Sequence, residues 1–507
     1  SSDLTELDVS KNTALTELYC SENQLTSLDL SKNTALKELI CNYNSLTSLD
    51  LSNNTALTGL YCSGNQFASL DLSSNTALTE LFCSSNQLTY LDLSNNPVLT
   101  SVICDINKLT SLDVSNNTAL TELSCYNNQL TYLDVSKNTA LTKLSCGTNQ
   151  LTSLDVSNNT ALIELSCSDN QLTSLDLSNN TALKKLSTNE NKYEITLTGK
   201  TFDLSTLPTG FDVTKASDWT NATVKGNILT VEDITKEVTY KYDCGNGHSE
   251  TFTLIPQIEE TPGETTTAPK TTTTATTTKT APKATTTTTT AKEEITGIEI
   301  NETNFPDAIF RKYVTNHFDT NEDMVLSDKE IAYVTEIEVD SMGISDLTGI
   351  ENFKNLSVLY CSFNNLTTLD LSDCTALTDL SCFGNQLTSL DLSNNTALHI
   401  LECSSNRLTS LDVSNNTALK NLWCYENKLT SLNVSNCSAL TNLSCDDNKL
   451  TSLDVSNNSA LTKLICSYNQ LTSLDVSKNT ALTKLYCDSN QLTSLDISSN
   501  TALTKLD

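Results

Sequence analysis

The sequence is poor in most of the residues that carry chemistry. Its 507 residues include 3 His, 2 Met and 2 Trp, and 30 Lys and Arg stand against 61 Asp and Glu, for a formal charge of −31. The shortage of basic side chains argues against nucleic acid and anionic membrane surfaces as partners, since both need a basic footprint. No run of 18 apolar residues occurs, so no stretch reads as a helix inserted in a bilayer. His248, His317 and His399 fall in three different regions. No nucleophile, base and orienting acid recur together, no glycine loop suits a phosphate, and no zinc spacing joins Cys to His. No enzyme is expected. No signal peptide is visible either. SSDLTELDVS at the start and LTKLD at the end both lie inside repeats, so the chain reads as a fragment of a longer protein.

What the sequence has in abundance is repetition. LTELYCSENQLTSLDLSKNTA, residues 15–35, returns about every 21 residues and contains LxxLxLxxN twice, once with Cys in the third slot. A period this short implies stacked coils that grow in one dimension. Nine such units fill residues 4–192. Residues 193–258 break the period, and YEITLTG, ATVKGNILTVED and VTYKYDCGNGHSETFTL read as strands, the last a hairpin around Gly245-Asn246-Gly247. A Thr-rich stretch without hydrophobic pattern follows, then a second module from Ile295. The expected organisation is a first array at 1–192, a small β-rich cap at 193–260, a Thr-rich linker at 261–294, a helix-loop-helix cap at 295–333 and a second array at 334–507.

VTEIEVDSMGISDLTGIENFKN, residues 334–355, resembles the 22-residue units of internalin-like bacterial leucine-rich repeat proteins, and Ile337 and Val339 fall on Leu359 and Cys361 of the next unit. The resemblance implies that the Cys-bearing half is the concave strand and the LTSLDLSKNTA half the convex return. The fold class is thus a solenoid of two leucine-rich repeat arrays, with a parallel β-sheet on the concave side, short turns on the convex side and a small β-rich domain after the first array. Residues 193–258 also resemble the β-rich segment that follows such arrays in secreted bacterial proteins. The Thr-rich linker resembles those joining extracellular modules. Together they imply a secreted or cell-surface protein.

The physics of one coil supports that geometry. Leu15, Leu18, Cys20, Leu25, Leu28 and Leu30 point inward. Burying a Leu stabilises by about 1.5–3 kcal/mol, but ordering backbone costs about 1–2 kcal/mol per residue, so a lone coil loses and a stack can win. Cys20, Cys41, Cys62, Cys83, Cys104, Cys125, Cys146 and Cys167 lie 21 apart, Thr188 takes the next place, and a second ladder runs from Cys361 to Cys487. Coils about 4.8 Å apart do not turn neighbouring Cβ atoms toward one another as a disulfide needs, so buried free thiols are expected. Asn23, Asn44, Asn65 and Asn86 are expected to bond backbone at the turn. The Asp ladder Asp8, Asp29, Asp50 and onward is expected to relieve its repulsion by accepting N–H groups of the following turn, rather than by holding calcium between coils.

The informative letters are the outward slots of the strand half. Before each Cys stand Tyr19, Ile40, Tyr61, Phe82 and Ile103, then four Ser, with Glu17, Glu38 and Glu80 as an acidic border. The second array carries Tyr360, Trp423 and Tyr486 in this column, with Tyr425 and Tyr468 nearby. Drift on an exposed sheet gives such columns too, but an apolar stripe with a charged border suits a ligand. The expected function is non-catalytic recognition or adhesion between proteins, through the concave faces, outside the cell. The alternative is a carbohydrate-binding surface, because Tyr and Trp stack sugar rings. The partner is an unknown extracellular protein or glycan. An ice-binding face fits worse, since Ala68 interrupts the ladder Thr26, Thr47, Thr89, Thr110.

One metal motif stands out. In FDTNEDMVLSDKEI, residues 318–331, Asp319, Asn321, Asp323, Val325 (through its carbonyl), Ser327 and Glu330 occupy positions 1, 3, 5, 7, 9 and 12 of an EF-hand-type loop between short helices. One structural calcium ion is the expected cofactor, clamping the cap to the first coil. Met324 stands where Gly normally turns the chain, at a cost of about 1–2 kcal/mol for a left-handed residue. A cap that keeps the loop without the metal accounts for the same letters.

Overall fold

The computed structural model describes residues 3–208, 210–258 and 297–507; the expected Thr-rich linker lies outside them. Each unit contributes one three-residue strand. Glu17–Tyr19, Glu38–Ile40, Gly59–Tyr61 and Glu80–Phe82 begin the first array and Lys185–Ser187 ends it. The Cys-bearing half is the strand. Its middle Leu is buried and its two flanking residues face outward, following the alternation of an extended chain. Successive strands pair parallel and in register, Tyr19 on Ile40 and Ile40 on Tyr61. All 18 cysteines are free and buried. Burial pushes the thiol of Cys20 up to about 12, so the ladder is packing material rather than reactive thiolate.

Two asparagine ladders hold the coils together. Asn44 donates its amide to the carbonyls of Cys20 (2.9 Å) and Cys41 (3.2 Å) and accepts the N–H of Leu25. It thereby ties two coils at the ascending turn. The second ladder lies in the convex half, in the Asn of each NTA triplet. Asn33 is fully buried and donates to Val9 O (3.1 Å) and Asn12 O (2.9 Å) of the preceding coil, and Asn54, Asn75 and Asn96 repeat the pattern. Here is the physical reason the convex half varies so little. The acidic ladder also behaves as its position requires: Asp29 accepts the N–H of Ser31 at 2.9 Å, and bonds from Ser31 hold its carboxyl below the usual range.

The two arrays form one sheet. Its 18 strands run from Glu336–Glu338 to Lys505–Leu506, then directly onto Glu17–Tyr19 and on to Lys185–Ser187. Leu506 pairs with both Leu485 and Leu18. Across the junction Asn12 donates to Ile497 O (3.1 Å) and Asn500 O (2.8 Å), the same bonds that Asn33 makes inside the first array. The segment 503–507 supplies the strand of the junction coil and residues 4–12 its convex half, so a single coil is built from both ends of the described chain.

Both outer ends of the sheet are covered. After Lys185–Ser187 comes a four-stranded sheet in the order Lys192–Leu197, His248–Ile258, Val238–Gly245, Ala216–Thr220, beside a three-stranded one. Tyr240 donates its hydroxyl to Thr173 O (2.6 Å) and Leu177 donates its N–H to Cys244 O (2.7 Å), closing the last Leu layer. At the other end helices α1 (Ala308–Phe318) and α2 (Asp328–Tyr333) precede the first strand. Phe305 packs on Phe310 and Phe353. Gly349, at φ 107°, leaves room for the Phe305 ring, which lies 2.3 Å from where a Cβ would stand. Asp307 caps α1 and also accepts Ser345 N–H from the repeat (2.8 Å).

Candidate binding faces of the sheet

On the concave side Tyr19, Ile40, Tyr61, Phe82 and Ile103 stand one above another, each half-buried. Tyr61 and Phe82 meet edge to face, ring centroids 4.9 Å apart. The acidic border does more than flank the rings. Tyr19 donates its hydroxyl to Glu17 (3.1 Å) and Glu38 (3.0 Å), and Tyr61 donates to Glu80. Burial pushes the Tyr19 hydroxyl up to about 12, with its carboxylate partners adding to the shift, and burial and Glu80 raise that of Tyr61. Gly59 stands where a glutamate would otherwise be and lets the Tyr61 ring lean across, its Cε2 being 3.1 Å from the absent Cβ. The rings are therefore fixed by their own border, and their apolar faces and edges are what the surface offers.

At the junction between the arrays this column holds Asp507, with Tyr486 on one side and Tyr19 on the other. Ile465 pairs with Tyr486, and one coil later Lys505 lies 5.6 Å from the Tyr486 ring centroid and 4.2 Å from that of Tyr19. Lys505 also pairs with Glu17; burial works against its charge, but the bonds to Glu17 and Tyr19 raise its pKa. Tyr486, from the second array, thus stands two coils from Tyr19 and is bridged to it by Lys505 beside Asp507, a proximity that no local pattern encodes. Beyond Ile103 the face becomes a shallow trough of about 420 Å³ along Ser124, Ser145 and Ser166, where Lys185 pairs with Glu164 at 2.6 Å.

The second array is arranged differently. Tyr360, Ser381, Glu402, Trp423 and Ser444 alternate down the column, so Trp423 stands alone in it. Its aromatic neighbours lie on the loop just past the Cys ladder. Phe383 contacts Tyr425 (6.0 Å) over buried Ser404, and Phe363 meets Phe383 edge to face (4.8 Å). Glu402, beneath this group, has a carboxyl raised by burial, and its Oε1 has no hydrogen-bond partner. Tyr468 is apart from them, 63 % exposed in a left-handed loop position. Phe363, Phe383, Tyr43 and Tyr126 were not singled out by the strand columns. For Tyr43, Tyr126 and Phe363 the signal is a glycine one coil on: the Tyr43 ring lies 2.5 Å from the missing Cβ of Gly64, and Tyr126 and Phe363 lie likewise against Gly147 and Gly384.

The EF-hand-like residues lie together between α1 and α2, with Met324 in the left-handed conformation (φ 65°). Their oxygens are turned to the protein. Glu330 accepts from Thr320 N–H (2.8 Å) and hydroxyl (2.6 Å) and from Ser327 N–H (3.0 Å) and hydroxyl (2.8 Å). These bonds hold its carboxyl down at about 2. Asp319 accepts Asp323 and Met324 N–H, and Asp323 accepts Val325 N–H. Val325 pairs through its backbone with Glu299. Among the described residues, no three His, Cys, Asp or Glu side chains converge as metal ligands. In this arrangement the loop does not fit a calcium ion unless Glu330 swings away from Thr320 and Ser327.

No family description matches the chain. A 71-residue stretch is 40% identical to Internalin J of Listeria monocytogenes, spanning 14% of this chain and 8% of that protein. Among solved structures, the functional domain of that internalin, described as including a cysteine ladder, is 28% identical, with 92% of this chain and 71% of that one covered at a TM-score of 0.35. Internalin C2 of the same species is 19% identical, with coverage of 43% and 99% at 0.39, and a Leptospira interrogans leucine-rich repeat protein is 17% identical, with 100% of both chains covered at 0.33. Superpositions at such TM-scores carry no weight in the functional reading. No helix among the described residues is long and apolar enough to cross a membrane. By its Cys-bearing 21-residue repeat and its parallel solenoid the chain has the leucine-rich repeat fold, and over 71 residues it is similar to Internalin J.

Proposed function

We propose that this chain is a non-catalytic recognition protein, working at the cell surface or outside the cell, that holds a protein partner against its concave sheet. The observation that carries the reading is the stripe from Tyr19 through Ile40, Tyr61 and Phe82 to Ile103, whose tyrosine hydroxyls are already committed to glutamates. Pre-fixed aromatic rings lose little freedom on binding, and such residues dominate the energetics of interfaces. The acidic border favours a partner with a basic rim and makes association salt-sensitive. The internalin-like repeat supports the extracellular setting. Loop 319–330 belongs to the cap, and a calcium ion there would act structurally.

The test is surface binding of the chain to a panel of extracellular proteins and polysaccharides, beside a Tyr61→Ser, Phe82→Ser double variant. Serine fills the same column in four later coils, so the variant keeps the fold. Loss of a protein ligand by tenfold or more, with affinity falling as salt rises, supports the reading. A neutral glycan bound through the same rings without salt dependence favours the carbohydrate alternative, and an unchanged ligand removes the concave stripe from the argument.

A further inference from the structure

The convex half is nearly invariant, and its few departures are therefore informative. In the unit LTSLD the third letter is Ser in 12 coils of the two arrays, but Tyr at 90 and 132. These two positions are separated by one coil, whose residue is Ser111. Tyr90 is 62 % exposed and Tyr132 65 %, so neither ring is needed to fill the core. Between them runs a groove of about 680 Å³ floored by Ser111 and bordered by Asp92, Asp113 and Asp134. Each carboxylate accepts one serine N–H, at 2.9, 2.9 and 2.8 Å. A carboxylate offers about four acceptor sites, so each keeps capacity for another donor.

The second array supplies the comparison. The equivalent groove, about 600 Å³ and floored by Thr368, has Asp346 and Ser389 where the rings would stand, with Asp370, Asp391 and Glu351 on its border. Groove and acids thus come with the scaffold, and what the first array adds is a pair of flat apolar faces without any added acid. Two coils are separated by about 10 Å, which leaves each ring roughly 5 Å from a guest in the middle, the distance at which flat groups stack. A cationic guest would be served by extra charge, which is absent. A sugar ring presents C–H faces to both sides and hydroxyls at its edge, matching rings at the walls and acceptors at the floor.

We propose that Tyr90 and Tyr132, across Ser111, form a convex-face clamp for one ring of a neutral glycan, independent of the concave surface. The test uses the whole chain and a set of neutral oligosaccharides built from glucose, galactose, mannose and N-acetylglucosamine, read by saturation-transfer NMR and calorimetry. Tyr90→Ser with Tyr132→Ser restores the letter of the neighbouring coils, so folding is preserved. The expected result is millimolar or tighter binding of at least one oligosaccharide, weakened tenfold or more by the double variant and unchanged by Tyr61→Ser, Phe82→Ser. The last arm separates this site from the concave one. Binding that survives the convex variant overturns the proposal. So does binding of tetramethylammonium or oligolysine with no glycan bound, or no glycan bound by the native chain.

Discussion

The two arrays are built on one scaffold and finished differently. Both use the same Leu layers, the same Cys ladder and the same ascending Asn ladder, down to matching bonds: Asn107 donates to Cys83 O at 3.0 Å and Asn406 to Cys382 O at 2.9 Å. They part in the outward columns. The first array lines up a continuous stripe in the strand, whereas the second gathers Phe363, Phe383 and Tyr425 on the loop and leaves Trp423 isolated. They also part in the convex ladder, which is all Asn in the first array while Cys374 and Cys437 interrupt it in the second. The comparison separates what stacking demands from what it merely allows. A residue that bonds backbone in two coils is fixed, and one that faces water is free to acquire a function.

If the scaffolds are equivalent, breaking the ascending ladder should hurt both arrays alike, and this is the largest effect expected. Asn107→Ala strips the amide that serves the carbonyls of Cys83, Cys104 and Asp105 and the acceptor of Leu88 N–H. Leaving buried backbone groups unpaired costs about 1–3 kcal/mol each, so a loss of about 3–5 kcal/mol is expected, and the same from Asn406→Ala. Amide exchange in the coils flanking each site reads the two losses separately. A loss in one array only would show that the arrays differ in the scaffold itself. Next in size is the junction. Lys505→Glu sets a carboxylate against Glu17 between two tyrosine rings, where a basic group now bridges them. Breaking a half-buried pair in this way should weaken the junction by about 1–3 kcal/mol. Small-angle scattering should then show a longer, less uniform particle, and unchanged scattering would mean that the charge pair is dispensable.

Much of this was legible in the letters, and the exceptions have physical causes. Assigning the strand to the Cys-bearing half follows from alternation around an inward Leu, and the bonds of Asn44 and the Asp ladder follow from local turn chemistry. The convex Asn ladder was not read, because an invariant column reveals a constraint without saying which groups impose it. Nor was the junction of Leu506 with Leu18: pairing between opposite ends of a chain depends on matching layers, which periodicity alone cannot order. Of the candidate site residues, Tyr19 and Tyr486 are brought together by that junction. Tyr468, two coils beyond Trp423, lies outside the aromatic group of Phe363, Phe383 and Tyr425. Tyr90 and Tyr132 were passed over because they interrupt a half that hardly varies.

The cap and the concave face should respond to pH with opposite signs. The Glu330 carboxyl lies at about 2, below its ordinary 4.5. Its contribution is therefore complete above pH 4.5 and is lost as the pH falls toward 2. Glu330→Gln should cost the cap about 1–3 kcal/mol at neutral pH and remove that dependence, as followed by exchange of the α2 amides. In the same samples millimolar calcium should leave cap stability unchanged while Glu330 holds Thr320 and Ser327; a rise would mean that the loop rearranges around the ion. Burial raises Glu402 instead. That carboxyl favours the fold most below its unfolded value and loses the advantage as pH climbs through its folded one, so Glu402→Gln should stabilise the second array slightly near neutrality.

The smallest effect gives the finest test of the comparison. In the second array Cys437 takes the place of a convex-ladder Asn, with its Sγ 3.6 Å from Val413 O and 3.7 Å from Asn416 O. One weak donor there replaces the two amide hydrogens that Asn416 directs at Leu392 O (3.1 Å) and Asn395 O (2.8 Å). If the carbonyls are what the ladder serves, Cys437→Asn should stabilise by about 0.5–1.5 kcal/mol, the net worth of a hydrogen bond. The reciprocal change in the first array, Asn117→Cys, should destabilise by a similar amount. Each Asn also carries a buried Oδ1 with no partner, Asn117 and Asn416 among them, and that desolvation opposes the gain. Opposite signs in the two variants would establish that the carbonyls govern the ladder. Two losses would mean that each array has repacked around the residue it has, and that the interruptions at Cys374 and Cys437 are settled parts of the second scaffold rather than weak points in it.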